Sequence, residues 1–173
     1  IGILAALIVL AINPAEIQRK SRDATRISDM VSIRKAMDLA IVDGAVPRGD
    51  TTTPYASDSN GTRTASCADP CGNYVGVNVS RYVSILPQDP SNDGSATAIT
   101  VTDGTATGRL STTKGAMVYE FASDGANYEV ATRLESSENA SKVTGDGGSD
   151  NSTTNPWYEV GTDPGLDVLD LGI

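Results

Sequence analysis

The sequence predicts an α+β fold in which one long N-terminal helix packs on a small antiparallel β-sheet. Three stretches carry that expectation. Residues 1–12 are apolar without a polar break, and a charged, amphipathic pattern follows as far as Gly44. Further on, MVYEFA and NYEVATRLE alternate on either side of Ser123-Asp124-Gly125-Ala126, which is the pattern of a hairpin. Trp157-Tyr158-Glu159-Val160 then reads as a last strand.

The run Ile1–Ile12 would make only about 18 Å of helix, against roughly 30 Å of hydrocarbon in a bilayer. A helix apolar on every side must be covered by lipid or by other protein. Ile1, Ile3, Leu4, Leu7, Ile8, Leu10 and Ile12 are therefore expected to lie in a membrane, in a core built from other copies of the chain, or in both. Starting at Ile inside an apolar run, the sequence is expected to have lost residues upstream. A signal-peptide core is the rival reading, but no small-residue cleavage site follows Ile12.

Asn13-Pro14 is expected to break the element, because proline removes a helical donor and disfavours helix in the residue before it. Residues 1–14 thus form one hydrophobic unit and 15–173 a globular head, made of helix 15–43, loop 44–74 and a sheet region 75–173. The helix is expected to resume at Ala15 and run about 43 Å to Asp43. Glu16→Lys20, Arg19→Asp23 and Arg34→Asp38 are opposite charges four apart, as on an exposed helical face. Ile27, Met30, Ile33, Met37, Ala40 and Ile41 make the apolar stripe, and Gly44 is the expected C-terminal cap.

Residues 46–72 carry neither helical nor strand period and read as a long surface loop. Val75, Val77 and Val79 alternate, but Asn78–Ser84 is expected to form a helical turn before LPQDP. Thr97–Thr102 is a strand candidate followed by an Asp103-Gly104 turn. Residues 136–156 read as loop. The tail is expected to pack on the sheet through Leu166, Val168 and Leu169.

Composition narrows the function classes. At 173 residues the chain suits one compact domain. Net charge is −9, with residues 1–48 holding seven Lys/Arg and five Asp/Glu, so the rest is strongly acidic. An acidic head repels phosphate backbones, which argues against a general nucleic-acid surface. Histidine is absent, removing His-based triads, His metal ligands and the usual general base. No GxSxG, Walker or HExxH pattern is present, so no enzyme is expected. Cys67 and Cys71 are too few for zinc and one residue too far apart for the common redox dithiol. A small disulfide loop in an oxidising compartment is the reading they favour.

The sequence GILAALIVLAINPAEIQRKSRDATRISDMVSIRKAMDLA resembles the N-terminal helix of type IV pilins and of the major pseudopilins of type II secretion. LPQDP, the aromatic strand, the DG turn and the strand ending in Leu-Glu are similar to the sheet of the same family. The resemblance implies a prepilin peptidase cut upstream of Ile1 and a single-pass inner-membrane anchor before assembly. It then implies a helical filament of identical subunits outside the cell, built by a separate assembly machinery. A pseudopilin of type II secretion is the alternative, and a membrane-anchored adhesin or carbohydrate-binding module a more distant one.

Two further chemistries are open in the sequence. Asp146, Asp150, Asp163 and Asp167 offer hard oxygen ligands in loops, which calcium accepts, although no EF-hand spacing is present. A solvated acidic loop is the favoured reading, with no cofactor. Asn60, Asn78, Asn139 and Asn151 each begin an N-x-S/T sequon. Sugars on Thr51–Thr53 or Thr153-Thr154 are equally open.

Overall fold

A 29-residue helix, α1 (Pro14–Val42), lies along a four-stranded antiparallel sheet. The computed structural model describes residues 13–48, 55–57, 73–92, 101–103, 106–108, 118–143, 145–148, 157–163, 165, 167 and 168. Helix α1 starts one residue earlier than expected, at Pro14 itself. Proline suits the first helical position, where its missing N–H would have had no partner. Asn13 caps it, its Oδ1 accepting from the Glu16 N–H at 3.4 Å. The other end closes as expected at Gly44, which has φ 91°. Gly44 N–H donates to Ile41 O at 2.9 Å and Ala45 N–H to Ala40 O at 3.0 Å, the paired bonds of a glycine C-cap.

The strands are β1 (Tyr55–Ala56), β2 (Val101–Asp103), β3 (Ala106–Gly108), β4 (Glu120–Ser123), β5 (Tyr128–Arg133) and β6 (Trp157–Gly161). The main sheet has the order β1-β4-β5-β6, with Phe121 opposite Val130 and Val130 opposite Val160. The hairpin β4–β5 turns where the sequence places it. Asp124 Oδ1 there accepts from the N–H groups of Ala126 and Asn127 at 2.8 and 2.7 Å. Strands β2 and β3 pair separately; β2 overlaps the strand candidate Thr97–Thr102 at Val101 and Thr102 and extends to Asp103, while residues 97–100 lie outside the described residues.

Loop 44–74 is not wholly irregular, because β1 pairs with β4 and its Tyr55 ring stacks 6.4 Å from Phe121. Likewise 136–156 holds a 3-10 turn (Ser137–Asn139) and a one-turn helix, α2 (Ala140–Val143). Val75, Val77 and Val79 form no strand, but all three are buried. The turn expected after Asn78 is a single one, with Tyr82 and Val83 N–H both donating to Val79 O. Gly76 holds φ 63° where the chain leaving α1 crosses it. Arg48 N–H donates to its carbonyl, and a Cβ there would stand 1.7 Å from Arg48 O, so only glycine fits.

The core lies between α1 and one sheet face. Met30, Ile33, Met37 and Ala40 meet Phe121, Tyr128 and Val130, with Val75, Val79 and Leu86 closing the sides. The opposite sheet face is buried too, around Ala122, Ala131 and Trp157 with Val168 of the tail. Leu166 and Leu169 lie outside the described residues.

Strand β5 runs beside α1 in the opposite direction. Tyr128 meets Asp38 and Glu135 meets Asp23. The fifteen residues of helix from Asp23 to Asp38 rise about 22 Å, and the seven of extended chain from Tyr128 to Glu135 cover about 23 Å. The two periodicities match, and side chains therefore meet at both ends of the contact.

Candidate functional site

Helix α1 has one face packed against the body and an opposite face with apolar residues open to solvent. Ile17, Val31, Leu39 and Val42 are 52%, 55%, 41% and 82% exposed. With exposed Ala24 they recur at steps of seven, seven, eight and three, which places them within a narrow arc of one helical face. Exposed Ser28 and Lys35 fall within the same arc, and Lys20 and Ser21 lie at its margins, so the outer face mixes apolar with polar side chains. The helix thus carries one continuous apolar stripe, used by the head, and an outer face on which Ile17, Val31, Leu39 and Val42 stay in solvent.

Behind the outer face, a buried charge network fixes where the N-terminal half of α1 sits. Arg26 is fully buried. Its Nε and Nη2 donate to the two oxygens of Asp89 at 2.6 and 3.0 Å, a fork on the carboxylate of the LPQDP turn. Nη1 donates to Asp23 Oδ1 at 2.9 Å, and Nη2 also reaches Ser91 Oγ at 2.9 Å and Glu135 Oε1 at 2.6 Å. Asp23, equally buried, accepts from the N–H groups of Glu135 and Ser136 at 2.8 Å each and from Asn139 Nδ2 at 2.9 Å. Arg22 Nε and Nη2, one edge of its guanidinium, donate to the two carboxylate oxygens of Glu135.

The charges in this network sustain one another. Burial opposes ionisation of Glu135, but hydrogen bonds from Arg22 and Arg26 outweigh it and hold its carboxyl down at about 2. Burial likewise opposes charge on Arg26, and the bonds and charges of Asp89 and Glu135 override it, so its proton is held more tightly than usual. Two tyrosines clasp the rest of α1 to the sheet. Tyr119 and Tyr128 donate to Asp29 and Asp38 at 2.7 Å each. Burial, then the carboxylate each one faces, raises both phenols well above their ordinary value. Burial pushes the Asp29 carboxyl up, against the Tyr119 bond.

The expected surface pairs are partly redrawn. Arg34 and Asp38 approach to 3.9 Å as anticipated. Arg19 instead lies 3.6 Å from Glu16, and Lys20 pairs with Glu138. Asp23 is not on the solvent face at all. The network was legible in one respect: Asp23 and Arg26 lie seven and four residues before Met30, in register with the buried stripe. A charged pair on a core-facing line needs partners inside, and that was the signal.

Other expected site residues divide by place. Ile1, Ile3, Leu4, Leu7, Ile8, Leu10 and Ile12 lie outside the described residues, as do Cys67, Cys71, Asp150, Asn60 and Asn151. Among the described residues no helix is long and apolar enough to cross a membrane. The acidic loop residues serve the backbone. Asp146 accepts from the N–H groups of Gly148 and Glu159 at 3.0 Å each, the second sealing the outer edge of β6. Asp163 accepts from Asp167 N–H at 3.1 Å. Among the described residues no three Asp, Glu, His or Cys are grouped to hold a metal.

Compared with known proteins, the chain matches no family model, no curated protein and no solved structure.

Proposed function

We propose that this chain is a structural subunit that polymerises through its N-terminal helix into an extracellular filament of the type IV pilin kind, and that it has no catalytic role. The observation that carries the reading is the set of exposed apolar residues on the outer face of α1. A helix whose inner face is already filled by its own head keeps Ile17, Val31, Leu39 and Val42 in solvent, and a second copy of the same helix is the partner that fits them. The apolar run Ile1–Ile12 upstream of the Asn13 cap would serve lipid before assembly and neighbouring subunits afterwards, because both environments are apolar. The antiparallel sheet and the LPQDP turn docked on the helix by Arg26 are consistent with a pilin-like head.

Negative-stain microscopy of sheared surface material from cells making this chain tests the proposal. Filaments labelled by an antibody to the head are expected. Chain confined to the membrane fraction as single subunits would overturn it and favour an anchored binding module. Leu7→Asp is expected to abolish filaments, since an unpaired charge in an apolar core costs several kcal/mol, about 3 or more.

A further inference from the structure

Of the two sequons within the described residues, the structure treats one as a part of the fold and presents the other to solvent. Asn139 is half-buried, and its Nδ2 donates to Asp23 inside the charge network. That nitrogen is the atom a sugar would have to take, so Asn139 is closed to modification in the folded head. Asn78 is the opposite case. Asn78 and Ser80 are both exposed, while Val79 between them is fully buried and its carbonyl accepts two backbone bonds. The sequon is therefore held as a turn anchored by its middle residue, with its outer two side chains facing water.

The geometry of the turn also prepares the acceptor. Ser80 Oγ–H and Ser80 N–H both donate to Asn78 Oδ1, at 2.7 and 3.1 Å. Both bonds fall on the amide oxygen, and Nδ2 has no hydrogen-bond partner among the described residues. An exposed N-x-S/T turn whose asparagine nitrogen is uncommitted is open to a transferase that reads the pattern. Beside it, Ser80, Arg81, Tyr82 and Asp43 line an open cleft at the C-terminal end of α1. There Tyr82 O–H donates to Asp43 and the Arg81 guanidinium stands 3.4 Å from the same carboxylate. Charged and hydroxyl groups of this kind suit the hydroxyls of a first sugar residue.

We infer that Asn78 is an N-glycosylation site, modified outside the cytoplasm from a lipid-phosphate-linked sugar donor by a separate transferase. Nδ2 attacks the anomeric carbon of the donor sugar and forms the C–N bond. The bond from that carbon to the phosphate oxygen breaks, the phosphate leaves with the electron pair, and the nitrogen gives up one proton. Neither oxidant nor metal from this chain takes part. The inference does not depend on filament assembly.

The test is peptide mapping by mass of the full chain isolated from cells that produce it, with the variants expressed in the same cells. The Asn78 peptide is expected to carry a saccharide mass, lost in Asn78→Gln and Ser80→Ala and retained in Ser80→Thr. Treatment with a glycan-releasing amidase should convert Asn78 to the acid, which separates a sugar on nitrogen from one on the Ser80 hydroxyl. Thermal melting of Asn78→Gln at the unmodified midpoint would show that the loss is not one of folding. An Asn78 peptide at its bare mass overturns the inference, as does a saccharide there that survives Ser80→Ala or leaves without converting Asn78.

Discussion

The two halves of the contact made by α1 are built on different chemistry. From Glu16 to Arg26 the helix meets the body through ionised groups, and from Met30 to Ala40 mainly through methyls, thioethers and aromatic rings, with the Tyr128–Asp38 bond near its end. Apolar packing supplies free energy but tolerates sliding, since one aliphatic surface resembles another. The Arg26 fork tolerates none, because Asp89, Asp23 and Glu135 each demand a bond in a set direction. The apolar half thus holds the helix down while the charged half fixes where along the sheet it lies. A chain whose helix also has an outer face to present needs both, for a rotation or slip of the inner face would misplace the outer one.

The largest predicted effect breaks the charged half. Arg26→Ala leaves Asp23 and Asp89 buried without their cation, and should cost about 3–5 kcal/mol in urea unfolding; a loss below about 1 kcal/mol would mean the network is dispensable. Next comes the apolar half, where Met37→Ala should cost about 2–5 kcal/mol, from lost transfer energy and the cavity left behind.

Acid distinguishes the two halves. Glu135 is held down at about 2, below the ordinary value of about 4.3 for glutamate. Its contribution is complete above that ordinary value and is lost as pH falls through it towards 2. Melting midpoints should therefore fall over that window, more gently in Glu135→Gln, while Met37→Ala keeps the parent slope. An identical acid profile for Glu135→Gln would remove the charged half from the account. The smallest effect on the fold belongs to the outer face of α1. Val31→Asp should shift stability by no more than about 0.5 kcal/mol, yet eliminate filaments; a large loss of stability would mean that Val31 is part of the head after all.

How much of this was legible in the sequence follows the same division. Met30, Ile33, Met37 and Ala40 were readable because burial on a helix imposes a period, and β4–β5 because a DG turn must separate its strands. The distant partners of Asp23 and Arg26 were not, because they stand 63 and more than a hundred residues away in sequence. Local spacing offered Arg19→Asp23 as a solvent pair instead, and tertiary contacts overruled it. Strand β1 was invisible for a related reason. Two residues of a Ser/Thr-rich loop have no pattern of their own and are strand only because β4 lies beside them. The exposed apolar residues of α1 show no clean period of their own, because Ser28 and Lys35 interrupt them.

Asp23, Asp29 and Asp38 tie α1 to the head at three points spread over about 22 Å of helix, through backbone amides, Tyr119 and Tyr128 in turn. These bonds run across the helix axis rather than along it. A pull on the upstream end of α1 therefore loads them in shear and together, so the head resists with the sum of their strengths instead of unzipping from one end.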